Sequence, residues 1–352
     1  MIYAPIVIPT LCRTKHFIRL VESLKKNSWA SFTDVYVGLD YPPSEKYKKG
    51  WEEICEYLDK GDFSVFAKFV VVRRKTNYGS ARNSAELNRL VQNKYDRWIR
   101  TDDDCEFSPN FLEYMDKCLE KYEEDENVVA VTGYSYPVDW VHKEHATCIR
   151  QNINLSMWGT GFWVKKRLPV EREISSGKLL RKVQHVLKNR LNERMIDICF
   201  ADYMISALAF RKKTRKLFLG CSDVSMRAYL AIEDKYCITP VISKVRNYGF
   251  DGSGVFCSCI DKKNYGASAK NYNYPKQEID CEKSFEIELD DDDENLKINR
   301  AKLNSFDPPL KETMKRAQLY AMMVSKFGIT GAKILAAFFF GMSKLFSRVF
   351  GC

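Results

Sequence analysis

The chain has 352 residues, of which 45% are hydrophobic and 29% charged. That balance excludes disorder as the state of most of its length and allows one large α/β domain or two smaller ones. The formal net charge of +10 asks for an acidic partner: nucleic acid, anionic lipid or a phosphorylated substrate. Twelve cysteines are scattered without a paired C-x-x-C set and read as reduced thiols of a cytoplasmic protein. Cys257 and Cys259 form the one close pair, a weak metal motif by itself. Met1-Ile2-Tyr3-Ala4-Pro5 runs into a strand-like segment without a charged leader, so no cleaved signal peptide is expected.

Residues 4–9 form a short apolar run closed by Pro9, which predicts a buried strand. Ile18, Leu20, Val21 and Leu24 follow at helical spacing. Residues 35–39 predict a second strand, ended by Asp40 and the breaker pair Pro42-Pro43. Ile54, Tyr57 and Leu58 mark a helix, residues 69–72 a third strand and 82–92 another helix. Trp98-Ile99-Arg100-Thr101 is a fourth strand that runs into Asp102-Asp103-Asp104. Alternating strands and helices predict an α/β fold with a mostly parallel, Rossmann-like sheet flanked by helices. Ligands of such sheets gather at the carboxyl ends of the strands, where Pro9, Asp40 and Asp102 all fall.

Residues 128–131 continue the sheet, and 165–194 read as a basic, helical stretch with Leu179, Leu180, Val183, Val186, Leu187 and Leu191 on one face. Residues 250–259 are a glycine-rich loop, and 276–297 a polar segment whose acidic run, 290–294, reads as solvated surface. The uninterrupted apolar stretch 334–342 is far shorter than the roughly 20 residues a spanning helix needs. Projected as one helix, Lys326, Lys333, Lys344 and Arg348 fall within roughly 60° of one another. Ile329, Leu335, Phe338, Phe339, Met342, Leu345, Phe346 and Val349 occupy most of the rest. That pattern predicts a helix lying in a membrane interface, or one docked on the protein's own core or a partner subunit.

Moving a sugar from a nucleotide donor needs a cation against the departing diphosphate, a nucleotide pocket and a base for the acceptor hydroxyl. Mn²⁺ or Mg²⁺ prefers oxygen ligands and keeps waters and phosphates in its shell, so one or two carboxylates at a strand end suffice. On extended backbone, Asp102 and Asp104 would leave on the same face. The other reading of the triple Asp is a solvated turn before the helix that begins near Ser108-Pro109-Asn110-Phe111.

Val7-Ile8-Pro9-Thr10 with Arg13, Asp40 after the second strand, Asn77-Tyr78-Gly79-Ser80-Ala81-Arg82-Asn83, and Asp102-Asp103-Asp104 occur in the order of a known pattern. It resembles that of family-2-like GT-A glycosyltransferases, over residues 4–260. The resemblance implies nucleotide-sugar contacts from Pro9, Thr10, Arg13, Asp40, Asn77, Arg82, Asp102 and Asp103, with Asp102 toward the ribose and Asp104 on the metal. Trp158-Gly159-Thr160-Gly161-Phe162-Trp163 is similar to the Trp/Gly loop lining donor-sugar and acceptor sites, although its aromatics would equally suit a core. Ser222-Asp223-Val224-Ser225-Met226-Arg227 resembles the W-D-x-x-x-R segment of inverting enzymes of the N-acetylglucosaminyltransferase I type, with Ser222 in place of Trp. It implies Asp223 as catalytic base. Residues 240–254 resemble the loop that closes over the donor, with Phe256 where some relatives carry His.

The expected protein is thus an inverting, Mn²⁺- or Mg²⁺-dependent hexosyl- or N-acetylhexosaminyltransferase. It would use a UDP-sugar or another nucleotide sugar and a glycan or lipid-linked saccharide acceptor, in bacterial surface polysaccharide synthesis. It would lie peripherally on the inner face of the cell membrane, held to the anionic surface by its C-terminal helix. The expected organisation is a GT-A domain over 1–260, with a nucleotide half to about 135 and an acceptor half after it. A polar and helical extension would follow over 261–325, and the amphipathic helix over 326–352. The alternative is a catalytically silent GT-A-like scaffold. Nucleic acid is not an expected partner, because the basic stretch carries no reader motif.

Overall fold

The computed structural model describes residues 2–189, 198–208, 220–251, 253–254, 277–306 and 311–350, the last fourteen of these by backbone alone. Phe256, Cys257, Cys259, residues 190–194 and the apolar side chains expected from Phe338 to Val349 lie outside the described residues. Contacts divide the chain into two compact units. The first comprises Met1–Gln151, Ser156–Arg167 and Tyr236–Lys302, and the second Asn152–Leu155, Leu168–Lys235 and Leu303–Cys352.

In chain order the first part carries β1 (Ile6–Thr10), α1 (Thr14–Lys25), β2 (Asp34–Leu39), α2 (Lys48–Lys60), β3 (Lys68–Arg73), α3 (Ser80–Gln92), β4 (Arg97–Arg100), β5 (Cys105–Phe107) and α4 (Phe111–Lys121). Then come β6 (Val128–Thr132), β7 (Cys148–Gln151), β8 (Thr160–Trp163), α5 (Val164–Ser175), α6 (Lys178–Asn189), α7 (Ile198–Leu208) and α8 (Asp223–Glu233). The chain ends with β9 (Tyr236–Pro240), β10 (Val245–Asn247), β11 (Leu289–Asp290), α9 (Asp293–Phe306) and α10 (Lys311–Phe350).

The first unit is built on a mostly parallel sheet in the order β11-β7-β9-β6-β8-β4-β1-β2-β3, with β5 and β10 paired as a separate antiparallel ribbon. β1 and β2 are buried on both faces, as a central parallel strand requires. Ile6, Ile8, Val35 and Val37 share a core with Phe17, Leu20, Val21 and Leu24 of α1. The pleat sends Gly38 to the other face, where an added Cβ would lie 2.8 Å from Leu87 of α3. The chain steps outward from β1 to β2 and β3, then returns to place β4 on the opposite side of β1, where Ile6 is in register with both Val35 and Ile99. That reversal is a topological switch point, where open α/β sheets form a crevice at their carboxyl ends. Residue 260 is not a boundary of either unit, because β11 pairs with β7 in the first sheet.

The second unit is helical. Over the described part of the basic, helical stretch expected at 165–194 there are two helices, α5 and α6. Gly177 at φ 74° ends α5 in the left-handed conformation that favours glycine, and its N–H bonds back to the Ile174 carbonyl. Leu179, Leu180, Val183 and Leu187 of α6 are buried, and α10 packs on α6 and α7. α10 is also not the straight helix assumed for the basic stripe. Gly328 (φ 68°, ψ 176°) interrupts it, the phase between Lys326 and Lys333 is lost, and Lys333 is buried while Lys326 is exposed. Among the described residues no helix is long and apolar enough to cross a membrane.

Candidate active site

The crevice between β1 and β4 is bounded by Thr10 and Arg13 on one side and by the acidic residues after β4 on the other. Residues 103 and 104 form a turn, so the strand alternation expected to pair Asp102 with Asp104 does not operate. Asp103 and Asp104 instead share one cation. Arg13 donates through Nη2 to Asp103 Oδ1 and through Nη1 to Asp104 Oδ2, the latter at 2.8 Å. Thr10 Oγ1 donates to the other Asp103 oxygen at 2.8 Å. Asp102 turns to Arg100, at 3.0 Å, and is the most open of the three at 35% side-chain exposure, against 7% for Asp103 and 10% for Asp104.

The turn is closed from far away in sequence. Antiparallel pairing sets Asn247 of β10 opposite Cys105 of β5. The Asn247 side chain donates to Asp104 Oδ1 at 3.0 Å, and the Tyr248 N–H to the Asp104 carbonyl at 2.8 Å. Gly249 follows: a Cβ there would lie 2.1 Å from Asp104 Oδ2, so only glycine lets the backbone pack this closely on the carboxylate. Neither Asn247 nor Gly249 was singled out as a site residue from sequence. Periodicity cannot register a pairing between segments so far apart, and the one signal was their place in the glycine-rich segment after residue 240.

Burial is the largest influence on Asp104 and, with Asp102 and Asp103 adding repulsion, pushes its pKa up to about 7 against the opposing pull of Arg13. For Arg13, burial alone would lower the pKa, but Asp103 and Asp104 outweigh it and raise it.

Tyr248, Asp251 and Ser253 are also tied to α1. Buried His16 sets Nε2 2.9 Å from Asp251 Oδ2, Ser253 Oγ donates to Asp251 Oδ1 at 2.6 Å, and the Arg19 guanidinium stacks 3.9 Å from the Tyr248 ring centre. This is not a Ser-His-Asp relay, because Asp251 and Ser253 both approach the same ring nitrogen of His16.

Asp40 ends β2 beside Thr10, whose carbonyl accepts the Asp40 N–H at 2.9 Å. Its carboxylate accepts from the backbone N–H of Tyr41, Tyr78 and Gly79 and from the Asn77 amide, at 2.8 to 3.2 Å. Four donors fill its acceptor capacity, so Asp40 and Asn77 clasp the loop that leads into α3. Arg82 turns back onto its own helix, pairing with Glu86 at 2.8 Å and stacking 3.9 Å from the centre of Tyr78. Asn83 joins α3 to β2 by donating to the Gly38 carbonyl at 2.7 Å. Pro9 lies in β1, in register with Gly38.

Trp158 and Gly159 reach the same neighbourhood. Trp158 packs edge-on against Tyr134 and Phe250, with ring centres 4.8 and 6.0 Å away. Gly159 has φ 62°, and a Cβ on it would lie 2.9 Å from Phe107 and Phe111. Arg100, the partner of Asp102, also donates to the Met157 carbonyl. Asp223 belongs to the second unit. It is exposed in the first turn of α8, where Ser222 and Ser225 form a reciprocal capping box. Ser222 at the position of the expected Trp thus has a local structural role.

A divalent ion suits the donor chemistry of the turn. Asp102 and Asp104 offer hard carboxylate oxygens, of which Asp104 Oδ2 is paired with Arg13 and packs on Gly249. Among the described residues no three His, Cys, Asp or Glu side chains surround one point, and the carboxylates of the turn would be part of a shell. Substrate phosphates and water complete such shells for magnesium-like ions.

No protein-family model and no curated protein matches the chain. Among solved structures it is similar to TarS of S. aureus at 12% identity and TM-score 0.30, over 49% of this chain and 29% of that one. The 1–349 fragment of TarS is similar at 11% identity and TM-score 0.35, over 70% and 61%. The mannosyltransferase PcManGT from Pyrobaculum calidifontis in complex with GDP-Man and Mn²⁺ is similar at 13% identity and TM-score 0.32, over 70% and 59%. The chain therefore spans between 29% and 61% of the length of these proteins. Likenesses this distant establish no family and carry no weight for activity or mechanism.

Proposed function

We propose that the chain is a glycosyltransferase that binds a nucleoside-diphosphate sugar, most simply a UDP-sugar, at the β1/β4 switch point. The observation that carries this reading is the convergence of Thr10, Arg13 and the acidic turn at the carboxyl ends of those two strands. Arg13 supplies a planar, forked cation of the kind that pairs with phosphate. Asp104, with Asp102 beside it, would hold Mn²⁺ or Mg²⁺, whose chemistry is to neutralise the departing diphosphate. Asp40 acts through the loop it clasps, fixing residues 77–79 beside the nucleotide. Trp158 offers an aromatic face to a sugar ring.

In an inverting displacement, an acceptor hydroxyl oxygen attacks the anomeric carbon as the bond to the diphosphate breaks. The hydroxyl proton passes to a base as the nucleoside diphosphate leaves, and the resemblance of residues 222–227 to the W-D-x-x-x-R segment is what supports Asp223 as that base. The acceptor class we favour is a glycan or a lipid-linked saccharide, of the kind assembled into bacterial surface polysaccharide. The test is donor hydrolysis and transfer with Mn²⁺ and with EDTA. Full activity in EDTA would refute the metal role, and retained transfer in Asp223→Ala would refute the base.

We further propose that α10 holds the protein peripherally on an anionic, cytoplasmic membrane face. Exposed Leu319, Met322, Phe327 and Ile334, with Lys315, Arg316 and Lys326 among them, support it. Flotation with anionic liposomes should be lost on deleting residues after 310, and undiminished flotation would refute the anchor.

A further inference from the structure

We propose that Arg13 is the resident counter-ion of the acidic turn and is exchanged for a divalent cation when a nucleoside diphosphate arrives, so that metal and nucleotide bind cooperatively. The proposal rests on the turn being a metal–nucleotide site. Each inner carboxylate has one oxygen held by a neutral donor, Thr10 on Asp103 and Asn247 on Asp104, and the other held by Arg13. At 7% and 10% side-chain exposure these two carboxylates need a cation between them. Arg13 supplies it, and in doing so covers Asp104 Oδ2, the oxygen that packs on Gly249.

A cation reaching Asp104 must therefore displace one of two occupants. Asn247 is fixed by β10 pairing and accepts from the Gly249 N–H at 2.7 Å. Arg13 stands on a long side chain at the exposed rim, 20% accessible. It can keep Asp103 and turn its other edge to a phosphate, which matches a guanidinium fork in geometry and charge. A diphosphate thus gives Arg13 a new anionic partner and leaves Asp104 Oδ2 to the metal. By linkage, the metal then tightens the nucleotide by the same factor that the nucleotide tightens the metal.

Calorimetric titration of Mn²⁺ into the full chain, with and without UDP, tests this in wild type, Arg13→Met and Arg13→Lys. UDP should tighten Mn²⁺ in the wild type by about tenfold or more. Arg13→Met should bind Mn²⁺ alone about tenfold tighter than the wild type, and UDP should then add less than about threefold. Arg13→Lys, a point charge without the fork, should fall between. A folded Arg13→Met that binds Mn²⁺ no tighter than the wild type overturns the exchange while leaving the nucleotide site standing. If Arg13→Met does not fold, wild-type coupling in Arg13→Lys overturns it. A wild type that binds neither Mn²⁺ nor UDP sinks the site and the exchange together.

Discussion

Two of the runs of consecutive carboxylates in the first unit are treated in opposite ways. Asp102, Asp103 and Asp104 form a turn at the switch point, closed by Arg13 and by Asn247 from a distant strand. Residues 290–294 each find a separate partner: Asp292 caps α9 by accepting from the backbone of Glu294 and Asn295, Asp291 pairs with Lys143 and Asp293 with Arg150. Only Asp290, in β11, departs from the solvated surface expected there; it is buried, and the Asn295 amide and the backbone of Lys143 and Asp292 donate to it. The electrostatic outcome inverts as well. Burial drives the Asp104 pKa up, whereas donors outweigh burial at Asp290 and Lys143 lowers Asp291. Density of acid does not make a site. What distinguishes the turn is burial: two carboxylates at 7% and 10% side-chain exposure share a single arginine.

The largest predicted difference is chemical. Asp104→Asn should reduce metal-dependent donor hydrolysis by about a hundredfold or more, while Asp291→Asn together with Asp293→Asn leaves it within twofold of wild type. Equal losses in both would erase the distinction. Gly249→Ala should come next: its Cβ cannot sit 2.1 Å from Asp104 Oδ2, so residues 247–251 must shift and Mn²⁺ affinity with UDP should fall about tenfold. Wild-type affinity would mean that the approach of Gly249 is not needed.

Smaller effects separate stability from function. Asp292→Ala removes the N-cap of α9 and should cost about 1 kcal/mol in denaturant unfolding, with hydrolysis unchanged. The smallest concerns pH. A carboxyl with a raised pKa binds its proton more tightly when folded, so stability declines as pH rises from the unfolded value of 3.8 to about 7. Lowered pKa values at Asp290 and Asp291 act the other way, and their contribution is lost only below the ordinary carboxylate range. In EDTA, the thermal midpoint should therefore fall between pH 5 and 8. Asp104→Asn should reduce that fall by about 2–4 °C, and Asp291→Asn should not alter it. Buried Asp116, also raised to about 7 by burial, contributes the slope that remains in Asp104→Asn.

Much of the sheet was legible because its central strands are apolar on both faces. β1, β2, β3 and β4 all fall within one or two residues of the runs at 4–9, 35–39, 69–72 and 98–101. β5, β7, β8, β10 and β11 were not, since strands of two to four residues carry too little pattern to distinguish from loop. Of the site, Thr10, Arg13 and the three aspartates stand at strand ends and announce themselves. Their partnership does not: that Arg13 bridges Asp103 and Asp104, and that Asp40 spends its oxygens on Tyr78 and Gly79, depends on side-chain direction across the crevice. Gly177 and Gly328 lay in view, but their left-handed backbone, which separates α5 from α6 and interrupts α10, is not written in composition.

The most direct test of the acidic turn as a metal–nucleotide site is calorimetric binding of UDP in the presence of Mn²⁺, in wild type, Asp104→Asn and Asp291→Asn. The site described here predicts saturable binding in wild type and Asp291→Asn, abolished by EDTA and weakened at least about tenfold in Asp104→Asn. Undiminished UDP binding by Asp104→Asn, or none by the wild type, would contradict it.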